Sequence, residues 1–230
     1  DSGFDLAAGL VEVVPTAHYL MGGVVVDVET RTSLAGLYVA GEDAGGAHGS
    51  NRLGGNGVAN STVYGGIAGD VMAADAQKMG ALHDPDETVL DEEMARAIIP
   101  FSAEPGNVQE LRVRLMDAMW DDVGVMRDAA GLKRGIEKIA SLKTDMENVG
   151  VSGDNLAFNL SWHDWLSLQS LIDTSEVIAK AGLSRENSRG AHFREDFPDA
   201  GSLDDSYFTI ATSGDKGIEV SREAVKITIV

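Results

Sequence analysis

The rhythm of apolar positions changes twice along this chain. In the first 78 residues apolar side chains come in short β-branched runs, VEVVP, GGVVVDV and LAGLYVA, each bounded by Gly or Pro as strands between turns are. The segment from Glu29 to Ser33 predicts a hairpin connection. From Asn60 to Gln77 the spacing turns helical, and Gly65, Gly66, Ala68 and Gly69 predict close packing on a sheet or a cofactor. The stretch His83 to Glu87, HDPDE, reads as a polar linker.

Beyond the linker the period is 3.6. Asn107 followed by Glu110 is a capping-box-like start, and Leu111, Leu115, Ala118, Met119 and Val123 then repeat at helical spacing. A second helix is predicted over Asp128 to Asn148, with Leu132, Ile136, Ile139, Leu142 and Met146 on one face. A third is predicted from Asn155 to Ala181, carrying Trp162, Trp165, Leu168, Ile172 and Ile178, with Gly182 as its C-cap. Short connections imply antiparallel neighbours, hence a three-helix bundle whose Met and Trp stripe is core. The segment SRENSRGAHFREDFP, dense in charge, predicts a polar strap between domains. Alternation returns from Ser206 to Val230, which predicts a terminal β-hairpin around Ser213–Gly217. The fold class expected is therefore α+β, with domains at 1–78, 79–200 and 201–230.

Composition narrows the functions. A net charge of −19 over 230 residues argues against nucleic acid and against docking on an anionic membrane surface. No apolar run approaches the roughly 20 residues that cross a bilayer, so no membrane insertion is expected, and the N-terminus lacks a basic signal-peptide region. The absence of cysteine excludes disulfides, thiolate chemistry and cysteinyl cofactor attachment, and fits a cytoplasmic setting. No His or carboxylate spacing suggests a metal site.

Candidate chemistry concentrates between Pro15 and Asp70. His18 precedes the Gly22-Gly23 turn, where an imidazole can approach a ligand closely and present a donor. Arg52 lies in SNRLGGNG, a loop whose glycines let backbone amides face a ligand and whose guanidinium can fork a carboxylate. Glu42 ends LYVAGE, the strand-edge position from which an acid accepts sugar hydroxyls in dinucleotide-binding folds. Asn56, Gly57 and Val58 open a helix whose amides favour negative charge. His48 reads either as a loop-capping residue or as a neighbour of a bound ring system, and His83 as exposed linker; His163 and His192 lie outside the site.

Four segments, EVVPTAHYLMGGV, GLYVAGED, HGSNRLGGNGVANSTVYGG and SRGAHFREDFP, resemble in order the C-terminal portion of the succinate dehydrogenase and fumarate reductase flavoprotein family, which includes L-aspartate oxidase. The resemblance implies the end of an FAD-binding domain followed by a helical domain. It implies that His18 and Arg52 hold a carboxylate of a small dicarboxylate substrate. Glu42 would meet the ribityl or ribose hydroxyls, and Asn56, Gly57 and Val58 the flavin's pyrimidine end. Asn-Gly-Val stands where the family usually has Asn-Ser-Leu, a change that keeps backbone contacts and loses a hydroxyl. Neither the GxGxxG fingerprint nor the capping domain with its proton-donating arginine is found in these residues. The expectation is thus an FAD-dependent oxidoreductase of dicarboxylates as the intact protein. The 230 residues alone are expected to be inactive and to self-associate through 1–78. An electron-transfer subunit is the expected partner, which would hold the protein at the membrane periphery. A helical interaction module, an L-aspartate oxidase-like enzyme and a ketosteroid dehydrogenase-like enzyme stay open as alternatives.

Overall fold

The computed structural model describes residues 7–10, 18–81, 84–214 and 217–226, which fall into two compact units, Asp1–Lys78 and Met79–Val230. VEVVP and His83 lie outside the described residues.

In the first unit the described apolar runs make single bridges rather than ladders, a parallel one between Val24 and Ala44 and an antiparallel one between Arg31 and Tyr38. Only glycine fits at position 23, since a Cβ there would lie 2.3 Å from the Asp43 carbonyl oxygen. The chain does not reverse over Glu29–Ser33 as predicted. It turns first at Asp27–Thr30, where the Thr30 amide donates to Asp27 O (3.0 Å), and again at Leu34–Leu37 (3.1 Å). The Asp27 carboxylate takes the amides of Glu29 and Arg31 and so fixes the first turn locally.

Helix α1 covers Asn56–Met79 and starts a turn earlier than the sequence pattern suggests. Asn60 is interior to it and buried, and its side chain reaches back to the Gly41 carbonyl (3.0 Å) instead of capping. A Cβ at Gly65, Gly66 or Gly69 would meet nothing, so these glycines make no close approach among the described residues. Asp75, near the end of α1, accepts from Arg31 Nε and Nη2 and from the Tyr38 hydroxyl (2.7 Å), clipping the helix to the 31–38 reversal.

The second unit is helical. Helix α2, Glu87–Ile98, sits where the sequence predicts a linker running into unassigned chain, and Asp86 caps it through the Thr88 amide. Its residues are not buried, so the core signal that marks the later helices is faint here. A 3-10 turn, Ile99–Ser102, follows. Helices α3 (Val108–Asp121), α4 (Ala129–Glu147) and α5 (Leu160–Ser184) pack on one another as the predicted bundle. Asn107 caps α3 through the Glu110 amide, as its position in the sequence implies.

The bundle core is Leu111, Leu115, Val123, Leu132, Ile139, Leu142, Trp165, Leu168 and Ile172 with their neighbours. Each Leu or Ile fully buried there contributes about 1.5–3 kcal/mol. Trp165 carries no polar penalty, because its indole N–H reaches the Val149 carbonyl (2.9 Å).

Helix α5 begins five residues later than predicted. Asn155 makes an Asx turn to the Ala157 amide, Phe158 adopts a φ of 59°, and Asn159 is the cap. It also runs through Gly182, which is buried inside the helix and is not its C-cap. Strands β1 (Tyr207–Gly214) and β2 (Gly217–Ala224) form the predicted antiparallel hairpin, registered from Tyr207 opposite Ala224 to Gly214 opposite Gly217, and pack on α5.

Candidate functional site

The predicted site residues of the first unit lie on three segments joined by side-chain contacts. The Leu20 amide donates to Glu42 Oε1 (2.9 Å), tying the His18 segment to the end of the LYVAGE run. The Arg52 amide points at the Met21 sulfur (3.1 Å), which fixes the Gly-rich loop against the same segment. Arg52 Nη2 and His18 Nε2 are 2.9 Å apart. A guanidinium only donates, so the imidazole accepts at Nε2 and carries its proton on Nδ1.

Arg52 Nη1 donates to the Leu53 carbonyl (3.3 Å) and Nη2 to His18, while Nε is buried without a hydrogen-bond partner among the described residues. Of the five guanidinium N–H groups, this leaves one on each terminal nitrogen without a partner among the described residues. That is the number a two-point carboxylate clamp uses.

Under the guanidinium lies Tyr19, its ring centroid 4.4 Å from Arg52 Cζ. The hydroxyl of Tyr19 is 3.4 Å from His48 Nε2, and the two rings meet edge to face at 5.5 Å. His48 Nε2 also receives Asn60 Nδ2 (3.1 Å). On the helix side Gly57 lies so close that a Cβ there would be 2.9 Å from Tyr19 Cε2. Sequence reasoning misses Tyr19 and Asn60 and weighs His48 mainly as a loop cap; their hydrogen bonds join positions 12 to 29 residues apart and leave no local pattern.

Glu42 is exposed, with one carboxylate oxygen engaged by Leu20. The Asn56 amide is already bound to the Leu53 carbonyl (3.1 Å), so it does not point outward with those of its neighbours. Gly57 and Val58 occupy the first turn of α1, where amides have no carbonyl one turn below them. Amide donors beside a carboxylate acceptor match the flavin's carbonyl edge and its polyol, so the residues present fit the group.

The strap residues gather at the C-terminal end of α5. Arg194 is 1% exposed; it binds Asp196 through Nε and Nη2 and donates from Nη1 to the carbonyls of Gly182, Leu183 and Arg185. Its guanidinium holds the Asp196 carboxyl down at about 2. His192 accepts from Arg127 Nη1 (3.0 Å) and donates to the Arg185 carbonyl (3.2 Å). Burial, reinforced by the cations Arg127, Arg185 and Arg194, lowers its pKa. Within the second unit these groups close a helix end. His163 is exposed on α5.

Among the described residues no helix is long and apolar enough to cross a membrane.

Residues 112–230 match the fumarate reductase flavoprotein C-term family, and residues 9–58 match an FAD binding domain. The chain is 30% identical over 222 residues to the fumarate reductase flavoprotein subunit of Haemophilus influenzae, covering 95% of this chain and 37% of that protein. It is 34% identical over 201 residues to L-aspartate oxidase of Yersinia pestis, covering 86% and 35%. The apo Mycobacterium smegmatis Sdh1 complex superposes with a TM-score of 0.84 at 34% identity, over 98% of this chain and 39% of that one. The chain thus spans about a third of the length of the curated relatives it matches. It belongs to the succinate dehydrogenase and fumarate reductase flavoprotein family, whose intact members use FAD.

Proposed function

We propose that the intact protein is an FAD-dependent oxidoreductase that exchanges hydride with a small dicarboxylate of the succinate/fumarate type, and that this chain supplies the carboxylate-binding side of its site. The pairing of Arg52 with His18, with one N–H left on each terminal nitrogen of the guanidinium among the described residues, is the observation that carries this reading.

In this proposal Arg52 forks one carboxylate of the substrate. His18, held by Arg52 at Nε2, adds the proton on Nδ1 as a further donor to the same group. Both withdraw charge from the carboxylate, and in the reductive direction that favours hydride addition at the far carbon of the double bond, with the electron pair displaced onto the carbon adjoining the held carboxylate, where a proton then adds. Glu42 accepts from the polyol of the cofactor, while the Gly57 and Val58 amides donate to its ring edge. FAD, when bound, supplies the two-electron centre. The proton that completes the reaction is assigned to a capping domain of the intact protein. The chain on its own is then inactive.

An electron-transfer subunit is the proposed partner, supported by the names of relatives such as the 8-methylmenaquinol:fumarate reductase flavoprotein subunit of Wolinella succinogenes. With such a partner the protein would sit in the cytoplasm at the membrane periphery. Apolar side chains left exposed on 1–78, Val25, Val28, Val58 and Val63 among them, support self-association of the chain when it is isolated. Sedimentation of the isolated chain checks this, and a monomer at high concentration contradicts it.

The function is tested by purifying the intact protein and following fumarate reduction with a reduced dye. The expected preparation carries FAD, reduces fumarate and loses flavin occupancy in Glu42→Ala. A flavin-free protein, or one indifferent to dicarboxylates, contradicts the proposal.

A further inference from the structure

Arg52 is held by contacts that its role as a carboxylate clamp does not explain. Its guanidinium rests on the face of Tyr19, with Cζ 4.4 Å from the ring centroid. The buried Nε meets no acceptor among the described residues, so stacking takes the place of a hydrogen bond on that side of the group. Tyr19 itself is confined on two further sides. Gly57 at the start of α1 closes to a distance that no side chain could share, and His48 meets the ring edge to face at 5.5 Å. His48 is set in turn by Asn60, 6% exposed, whose amide nitrogen serves both His48 Nε2 (3.1 Å) and the Gly41 carbonyl (3.0 Å).

We infer that Tyr19, His48 and Asn60 form a positioning brace that sets the angle of the Arg52 fork, and so determines how well the site holds a planar carboxylate. The inference rests on the functional reading above. None of the three residues touches the substrate in this scheme; each acts through the next, and the ring face is the element that touches Arg52. A flexible arginine would sample many rotamers and lose entropy on binding, whereas a stacked one meets the carboxylate with its plane already fixed. The brace is anchored on α1 and on the Gly41 backbone, so the clamp is registered to the helix start whose amides are assigned to the cofactor. Misplacement of a clamp by about 1 Å is enough to cost a large factor in rate.

The test uses the intact flavoprotein and competitive inhibition by malonate as the binding probe. Tyr19→Leu keeps an apolar group and removes the ring face. It is expected to weaken malonate binding and raise the fumarate KM by about tenfold, between the size of an exposed and of a fully desolvated cation–π contact, with a smaller effect on kcat. Tyr19→Phe keeps the ring and is expected to stay within about twofold of wild type. His48→Ala removes the edge support and is expected to fall between the two, with FAD content unchanged. Arg52→Gln serves as the control for the functional reading.

Malonate binding that is unaltered in Tyr19→Leu, or equally impaired in Tyr19→Phe and Tyr19→Leu, overturns the brace. Should Tyr19→Leu fail to fold, wild-type binding by His48→Ala overturns it as well. If Arg52→Gln binds malonate as wild type does, the dicarboxylate site itself is wrong; if it loses binding while the Tyr19 and His48 variants do not, only the brace is.

Discussion

Arg194 Nη1 donates to the Gly182 carbonyl oxygen at 2.9 Å, linking the strap to the last turn of α5. The same nitrogen serves Leu183 and Arg185, so one buried side chain satisfies the carbonyls that a helix end leaves without partners. Arg194→Met is therefore expected to lower stability by about 3 kcal/mol, taking the side-chain donor from the Gly182 and Leu183 carbonyls and leaving the Arg185 carbonyl to His192 and Asp196 to the Ala129 amide. Arg194→Lys, with a single head group, should lose roughly half as much. Urea denaturation of the chain measures both, and a change below about 1 kcal/mol in Arg194→Met would contradict the assignment.

His192 and Asp196 give this corner a pH dependence. The folded His192 pKa is lowered by burial and the neighbouring arginines, so the fold binds fewer protons there than the unfolded chain. Its contribution is whole above the ordinary histidine value, about 6.5, and is lost as pH falls below it toward the folded value. Asp196 acts in a lower window: its contribution is whole above about 4 and is lost as pH falls toward its folded value of about 2. Between pH 7.5 and pH 5.5 the urea midpoint is expected to drop for wild type and to change less in His192→Gln. Equal slopes in the two proteins would refute the role given to His192.

Thr30 is 1% exposed, adopts a φ of 66° and has a hydroxyl without a hydrogen-bond partner among the described residues. A β-branched residue is strained in this left-handed region, and the buried hydroxyl adds a desolvation cost. Thr30→Gly is expected to raise stability by about 1 kcal/mol, the turn itself being held by Asp27. Thermal unfolding is the measurement, and a lower midpoint in Thr30→Gly would show that the methyl group matters more than the strain.

The bundle is legible in the sequence because its signal is local. Leu132, Ile139 and Leu142 repeat at helical spacing and are all buried in one core. Helix α2 is not, since its Leu90 and Met94 repeat at the same spacing yet stay exposed beside the HDPDE segment. The end of α5 is misplaced at Gly182 because the residue that finishes the helix, Arg194, lies 12 positions downstream. Something similar holds for the candidate site. The place of His18 and Arg52 together comes from the family's motifs, since 34 residues separate them and periodicity is blind to such a pair. Tyr19, His48 and Asn60 show only in three dimensions, where a turn, a Gly-rich loop and a helix meet.

The central claim, that Arg52 with His18 clamps a carboxylate, is met most directly by the dissociation constant of malonate for the intact flavoprotein in wild type and Arg52→Gln. Loss of both remaining fork donors predicts affinity weakened by about a hundredfold, with the protein still folded and flavin-bound. Equal affinity in the two proteins would contradict the account.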